Sequence, residues 1–161
     1  MSIAPGFEKH DHSACISDAI GAAEALCAAQ RLQFTPVRRR ALEILLQRHK
    51  AMGAYEVLAE LTDSGFGAQP PVAYRALDFL VRHGLVHKIE ALNAYIACTH
   101  PGADHVPAFL ICRECNRVQE AEAQPMQGAL GRAARAAGFA IDRAVVEAQG
   151  LCPDCQQSAG G

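Results

Sequence analysis

Apolar residues recur at helical spacing through the first half of the chain. Within 14–31, Ile16, Ile20, Ala23 and Cys27 fall near one side of a helix. The next helical stretch, 35–49, opens on Thr35, a residue suited to an N-cap, followed by Pro36 at the first helical position. Leu42, Leu45 and Leu46 supply its apolar face. A third helix, within 54–67, runs through Val57, Leu58 and Leu61 and is stopped by Gly65 and Gly67. A fourth, within 69–84, is opened by Pro70 and Pro71 and ended by Gly84. Ala73, Ala76, Leu77 and Leu80 form its inward stripe, which leaves Tyr74, Arg75, Asp78 and Arg82 on the outer side.

The period then drops to that of strands. "LVHKIEA" and "AYIAC" read as a hairpin around Leu92 and Asn93. Helix, helix, short helix, hairpin is the order of a winged helix-turn-helix, with the fourth helix as the recognition helix and the hairpin as the wing. Tyr74 and Arg75 lie on the N-terminal half of that helix, where recognition helices usually touch bases.

After "THPGAD" the pattern changes again. "PAFLIC" and "RVQEAE" read as strands flanking a Cys-x-x-Cys pair. "PMQGALGRAARAAG" predicts a helix with Met126, Leu130, Ala133 and Ala137 on one face and Gly138 as its C-cap. "FAIDRAVVEAQ" predicts a last strand with imperfect alternation, and "QQSAGG" a frayed tail. The expected fold is α+β: an N-terminal helix and winged-helix DNA-binding domain over 1–98, a hinge at 99–104, and a small α/β dimerisation and metal-binding domain over 105–161 carrying a Cys₄ zinc site. Each half is too small to bury a large core, so a homodimer that covers the C-terminal sheet is expected.

Composition alters this picture little, and charge alters it more. Half the residues are apolar and a fifth charged, ordinary for a globular protein in water. No apolar run approaches the roughly 20 residues that span a bilayer. The start "MSIAPGFEKHDHSA" has no apolar stretch behind a basic one, so neither a membrane partner nor a secretory leader is expected, and a cytoplasmic location is. The net charge of −2 is uneven. Residues 31–88 carry nine Lys and Arg against five Asp and Glu, whereas the flanking segments are acidic. A basic segment inside an acidic chain suggests that one part meets a polyanion. Arg38, Arg39, Arg40, Arg48 and Lys50 are candidates for phosphate positioning or long-range field; a solvated face would look the same.

Seven cysteines is a high count. Four of them form the pairs Cys112-x-x-Cys115 and Cys152-x-x-Cys155. Two such hooks from distant parts of a chain make a closed tetrahedral zinc site, because each tight turn aims two sulfurs at one ion. Asn116, just after the first hook, tolerates a left-handed backbone, and Pro153 stiffens the second. Four thiolates leave no open position, so the expected role is structural. The rival is a thiol–disulfide oxidoreductase, which requires a strand–Cys-x-x-Cys–helix context; neither pair opens a clear helix in the sequence. No Ser/His/Asp set and no phosphate loop supports other catalysis, so the chain is not expected to be an enzyme.

His87, Cys98, His105 and Glu120 remain, with His100 nearby. Taken singly, the histidines read as surface or satisfied core residues and Cys98 as a buried hydrophobe. Together they are borderline-soft ligands suited to tetrahedral zinc. His87 and Cys98 lie on the wing strands, and His105 and Glu120 lie beyond the boundary, so a site built from them would bridge the two domains.

"PPVAYRALDFLVRHGLVHKIEALNAYIAC", "FLICRECNRVQE" and "EAQGLCPDC" resemble the ferric uptake regulator superfamily, and within it the zinc uptake regulator branch, over about residues 25–155. The resemblance implies a zinc-responsive repressor, with about two zinc ions per chain, that binds palindromic double-stranded operator DNA as a homodimer and controls zinc uptake genes. It implies a regulatory site of His87, Cys98, His105 and Glu120, a structural site of Cys112, Cys115, Cys152 and Cys155, and DNA contacts from Tyr55, Tyr74 and Arg75. The alternative within the superfamily is an iron or peroxide sensor. That branch carries a His-His-x-His cluster before its first cysteine hook; here the run is "DHVPAFLIC" with only His105. His100 competes with His105 for one place. His10, His12 and Cys15 match nothing in the family pattern.

Overall fold

The computed structural model describes residues 12–48, 50–67, 69–98, 101, 106–124 and 127–160. Four helices come first: α1 (His12–Ala29), α2 (Pro36–Leu46), α3 (Ala54–Asp63) and α4 (Pro70–Arg82). A hairpin follows, β1 (Val86–Ile89) and β2 (Ala94–Ala97), joined by a 3-10 turn over Glu90–Leu92. The second half is a three-stranded sheet of β3 (Val106–Cys112), β4 (Val118–Ala123) and β5 (Val146–Gly150), with α5 (Ala129–Ala136) between β4 and β5 and α6 (Pro153–Ala159) at the end. β3 is central, antiparallel to β4 and parallel to β5. The α+β winged-helix arrangement is thus present.

Local chemistry explains the helix ends. The Thr35 hydroxyl accepts the Arg38 N–H, and Pro36 needs no donor partner. The Glu56 carboxylate accepts the Gly53 N–H at 2.7 Å and closes the start of α3. Gly84 takes a positive φ of 73° in the tight link from α4 to β1. Leu85 in that link is pinned on both sides: its N–H donates to the Leu80 carbonyl, and its carbonyl accepts from Cys98 N–H, each at 2.9 Å.

The main core lies among α1 to α4 and the hairpin. The expected stripes are inward: Ile20, Ala23 and Cys27 on α1, Val57, Leu58 and Leu61 on α3, Ala73, Ala76, Leu77 and Leu80 on α4. Leu61 is wholly buried. Leu61→Ala should destabilise the fold by about 2–5 kcal/mol, the cost of lost burial plus a cavity, read as a lower urea midpoint with bound zinc unchanged. A smaller core of Ile89, Ile96, Phe109, Ile111 and Val118 joins one face of the hairpin to one face of the sheet.

Several sequence expectations are corrected. The last strand is β5, beginning at Val146; residues 139–145 are not in a strand. The supposed frayed tail contributes to α6, which Cys152 caps and Pro153 opens. α5 is shorter than expected, and its Leu130, Ala133 and Ala137 side is exposed rather than buried. Most of the basic cluster of α2 is engaged. Arg39 pairs with Glu24 and Glu43, Arg40 with Glu43, and Arg48 with Glu60. Arg38 lies 3.8 Å over the Phe79 ring. Such exposed ion pairs contribute about 0–1 kcal/mol each, but they occupy groups that phosphates would otherwise meet.

Candidate metal centres and nucleic-acid interface

The first hook is a turn between β3 and β4. Asn116 takes the left-handed conformation there, φ 59°, as its side chain permits. The second hook starts two residues after β5 and forms the N-terminus of α6. Because Cys112 ends β3 beside Gly150 of β5, the two hooks meet, and the sulfurs of Cys112, Cys115, Cys152 and Cys155 all lie within 4.8 Å of one another.

Thiols this close compete for charge. Cys152 N–H donates to Cys112 Sγ at 3.4 Å. That bond, with the Cys115 N–H, lowers the Cys112 thiol to about 6. Cys155 is pushed up to about 12, chiefly by its contact with the Cys152 sulfur. One thiol is readily ionised and another resists ionisation, a conflict that a divalent cation among the four sulfurs removes. Arg117, which sequence reasoning missed, adds positive charge. Its Nε donates to Cys115 Sγ at 3.4 Å, and its Nη2 donates to Cys152 Sγ at 3.5 Å and to Asp154 Oδ2 at 2.6 Å. The Cys115 thiol is held low mainly by this guanidinium. Cys152 does open a helix, contrary to the expectation from sequence, which supplies the strand–Cys-x-x-Cys–helix context of a redox motif. The four sulfurs nonetheless converge on one point, so the geometry fits a closed Cys₄ metal site.

The second cluster sits where the hairpin meets the sheet. His87 of β1 lies opposite Ile96 of β2, and Cys98 is two residues on, which puts His87 and Cys98 on one face. Glu120 of β4 lies opposite Phe109 of β3. The ligand atoms of His87, Cys98 and Glu120 are all within 4.8 Å of one another. His87 Nε2 is 3.4 Å from Glu120 Oε1, and Cys98 Sγ donates to the same oxygen at 4.0 Å. Glu120 is only 4% exposed. A carboxylate buried this deeply needs compensating positive charge, and an imidazole, a thiol and a carboxylate form a donor set that zinc accepts. The Phe109 ring stands edge-on to His87, centroids 5.4 Å apart, and walls the site. His105 and His100 lie outside the described residues, as do His10 and the rest of the N-terminal run before His12. Cys15 is exposed on α1.

The outer side of α4 carries Tyr74, Arg75, Asp78 and Arg82 in exposed positions. Tyr74 is 41% exposed and Tyr55, at the start of α3, 69%. Their rings meet edge to face at 6.5 Å. Two aromatic rings thus meet on the exposed side of α3 and α4, with Arg75 exposed next to Tyr74 in the chain.

A winged helical unit with such a face, joined to a sheet bearing a Cys₄ cluster and a His/Cys/Glu cluster, defines a metal-dependent DNA-binding regulator. The ferric uptake regulator family model matches residues 29–149, and the chain belongs to that family. Among its relatives is the zinc uptake regulation protein of Escherichia coli (strain K12), 37% identical over 134 residues, which are 83% of this chain and 78% of the relative. A solved zinc uptake regulator complexed with zinc and DNA is 34% identical, with a TM-score of 0.84, covering 91% of this chain and 98% of that one. Holo XcZur, 37% identical, gives a TM-score of 0.78 over 87% of this chain and 98% of its own. Apo XcZur, also 37% identical over 88% and 97%, gives 0.51. The arrangement of this chain is thus more similar to that of holo XcZur than to that of apo XcZur.

Proposed function

We propose that this protein is a zinc-responsive transcriptional repressor that binds operator DNA as a homodimer when regulatory zinc is held. The observation that carries this is the convergence of His87 and Cys98, from the hairpin, with Glu120, from the sheet, within 4.8 Å. Ligands drawn from both units make metal binding depend on how those units are arranged. The boundaries 1–98, 99–104 and 105–161 suit this reading, with His105 just past the hinge as the fourth ligand. A bound zinc ion would supply the charge that holds these donors together. The protein's own part is to bring His87 and Cys98 to 3.4 and 4.0 Å from the Glu120 carboxylate and to wall the site with Phe109.

The Cys₄ set closes the end of the chain onto β3 and is the structural site, giving about two zinc ions per chain. Exposed Leu110, Leu130, Phe139 and Val145 lie on the sheet unit, a concentration of apolar surface that suits a second copy of the chain. Regulators of this kind are not enzymes, and no helix among the described residues is long and apolar enough to cross a membrane.

Zinc-dependent selection of DNA by the purified protein tests the reading: enrichment of a palindrome only with zinc is expected, and enrichment with iron instead would favour the iron-sensing alternative. Tyr55, Tyr74 and Arg75 are the groups placed for DNA. Arg75→Ala should cost about 1–3 kcal/mol of operator affinity and relax preference at one position, as for a bidentate base contact. A gel shift at several salt concentrations separates this from a phosphate contact, which would weaken all sequences alike and flatten the salt slope.

A further inference from the structure

Glu120 is not the only carboxylate that the sheet presents to the hairpin. Phe109 of β3 is paired with Glu120 on one side and with Glu147 of β5 on the other. The three residues form one row across all three strands, and laterally paired residues share a face. Each member of the row meets the hairpin. Glu120 meets His87 and Cys98, and Phe109 meets the His87 ring. Glu147 reaches the far end: its Oε1 accepts the Glu90 N–H at 2.7 Å and its Oε2 accepts the Ala91 N–H at 3.0 Å. Those donors begin the 3-10 turn Glu90–Leu92 at the tip of the hairpin, where the first N–H groups have no partner within the turn.

We infer that Glu147 is a positioning residue for the zinc response: it latches the tip of the wing to the sheet in the same closed arrangement that assembles the regulatory site. The inference rests on the zinc-responsive reading above. A two-point hold, at the metal ligands and at the tip, fixes the direction of the hairpin as well as its position. The latch and the metal site draw on one equilibrium, so each strengthens the other.

The experiment uses the full-length dimer with its Cys₄ zinc, titrated with zinc against a chromogenic chelator without DNA. Glu147→Ala should keep the tightly held zinc and the dimer but bind regulatory zinc about tenfold more weakly, within the usual range of such coupling. Glu147→Gln, with one amide oxygen still able to accept, should fall between it and the parent. Amide hydrogen exchange at Glu90 and Ala91 gives a direct reading: zinc should slow both in the parent and neither in Glu147→Ala. Parent-like zinc affinity in Glu147→Ala would overturn the latch, and so would loss of the tight zinc or the dimer in both variants, which would make Glu147 a folding element. Cys98→Ser is run alongside. If it leaves zinc-dependent DNA binding intact, the regulatory-site reading fails; if it abolishes that binding while Glu147→Ala is parent-like, only the latch fails.

Discussion

Cys98→Ser is expected to abolish zinc-dependent operator binding while leaving one zinc per chain firmly held. Cys98 is buried, and its sulfur points at Glu120 Oε1, 4.0 Å away. Serine preserves the shape but offers zinc a weak neutral oxygen in place of a thiolate. Outer-shell changes at zinc sites cost 10- to 100-fold in metal affinity, so the loss of a direct ligand should cost about 100-fold or more. The protein should remain folded, because Cys98 is one small residue at the edge of the junction and the four-helix core does not depend on it. Zinc content should fall from two per chain to one, and gel shifts should no longer respond to added zinc. An unchanged zinc response would remove Cys98 from the site.

The second large effect is expected from Cys112→Ser or Cys152→Ser. These residues sit at the centre of the other cluster, where Cys152 N–H donates to Cys112 Sγ and both cysteines are buried. The sheet has few other restraints at this end. α5 buries only Gly131, and α6 buries nothing. Zinc at a structural site of this kind contributes about 10–16 kcal/mol of apparent folding free energy near neutral pH. Its loss should release β5 and α6 and with them the dimer, seen as a monomer by sedimentation and a lower melting temperature. Acid acts in the same direction. The Cys112 thiolate is stabilised in the fold, so its contribution is full above the ordinary thiol range and is lost as pH falls through about 6. Zinc release on acidification should follow that sense. A stable dimer with full zinc after either substitution would refute the structural assignment.

The first half of the chain is largely readable from sequence because its information is local. The stripes of α1, α3 and α4 follow a 3.6-residue period, and Thr35 and Pro36 mark a helix start. In the second half the decisive contacts are lateral. β5 alternates poorly because it is an edge strand with an open side, and nothing among the described residues covers the stripe of α5. α6 has seven residues and no buried face; only a capping cysteine and Pro153 announce it. Phe109 and Glu147 owe their roles to strand register, which brings residues dozens of positions apart into one row, and Arg117 owes its role to the meeting of the two hooks. No spacing rule in a single sequence reports that.

The link between α4 and the hairpin gives the protein a lever arm. Leu85 ties the end of α4 to the start of the hairpin and to Cys98, so the helix and the ligand-bearing strands turn as one body. α4 has 13 residues and is therefore about 20 Å long. A tilt of about 10° at its Arg82 end moves Tyr74 and Arg75, which lie about 11–12 Å along the helix from that end, by about 2 Å, more than half of a base-pair step. In the proposed reading, the placing of Tyr74 and Arg75 on DNA is then governed by an angle defined at the junction, and a small loosening there would displace them by more than half a base-pair step.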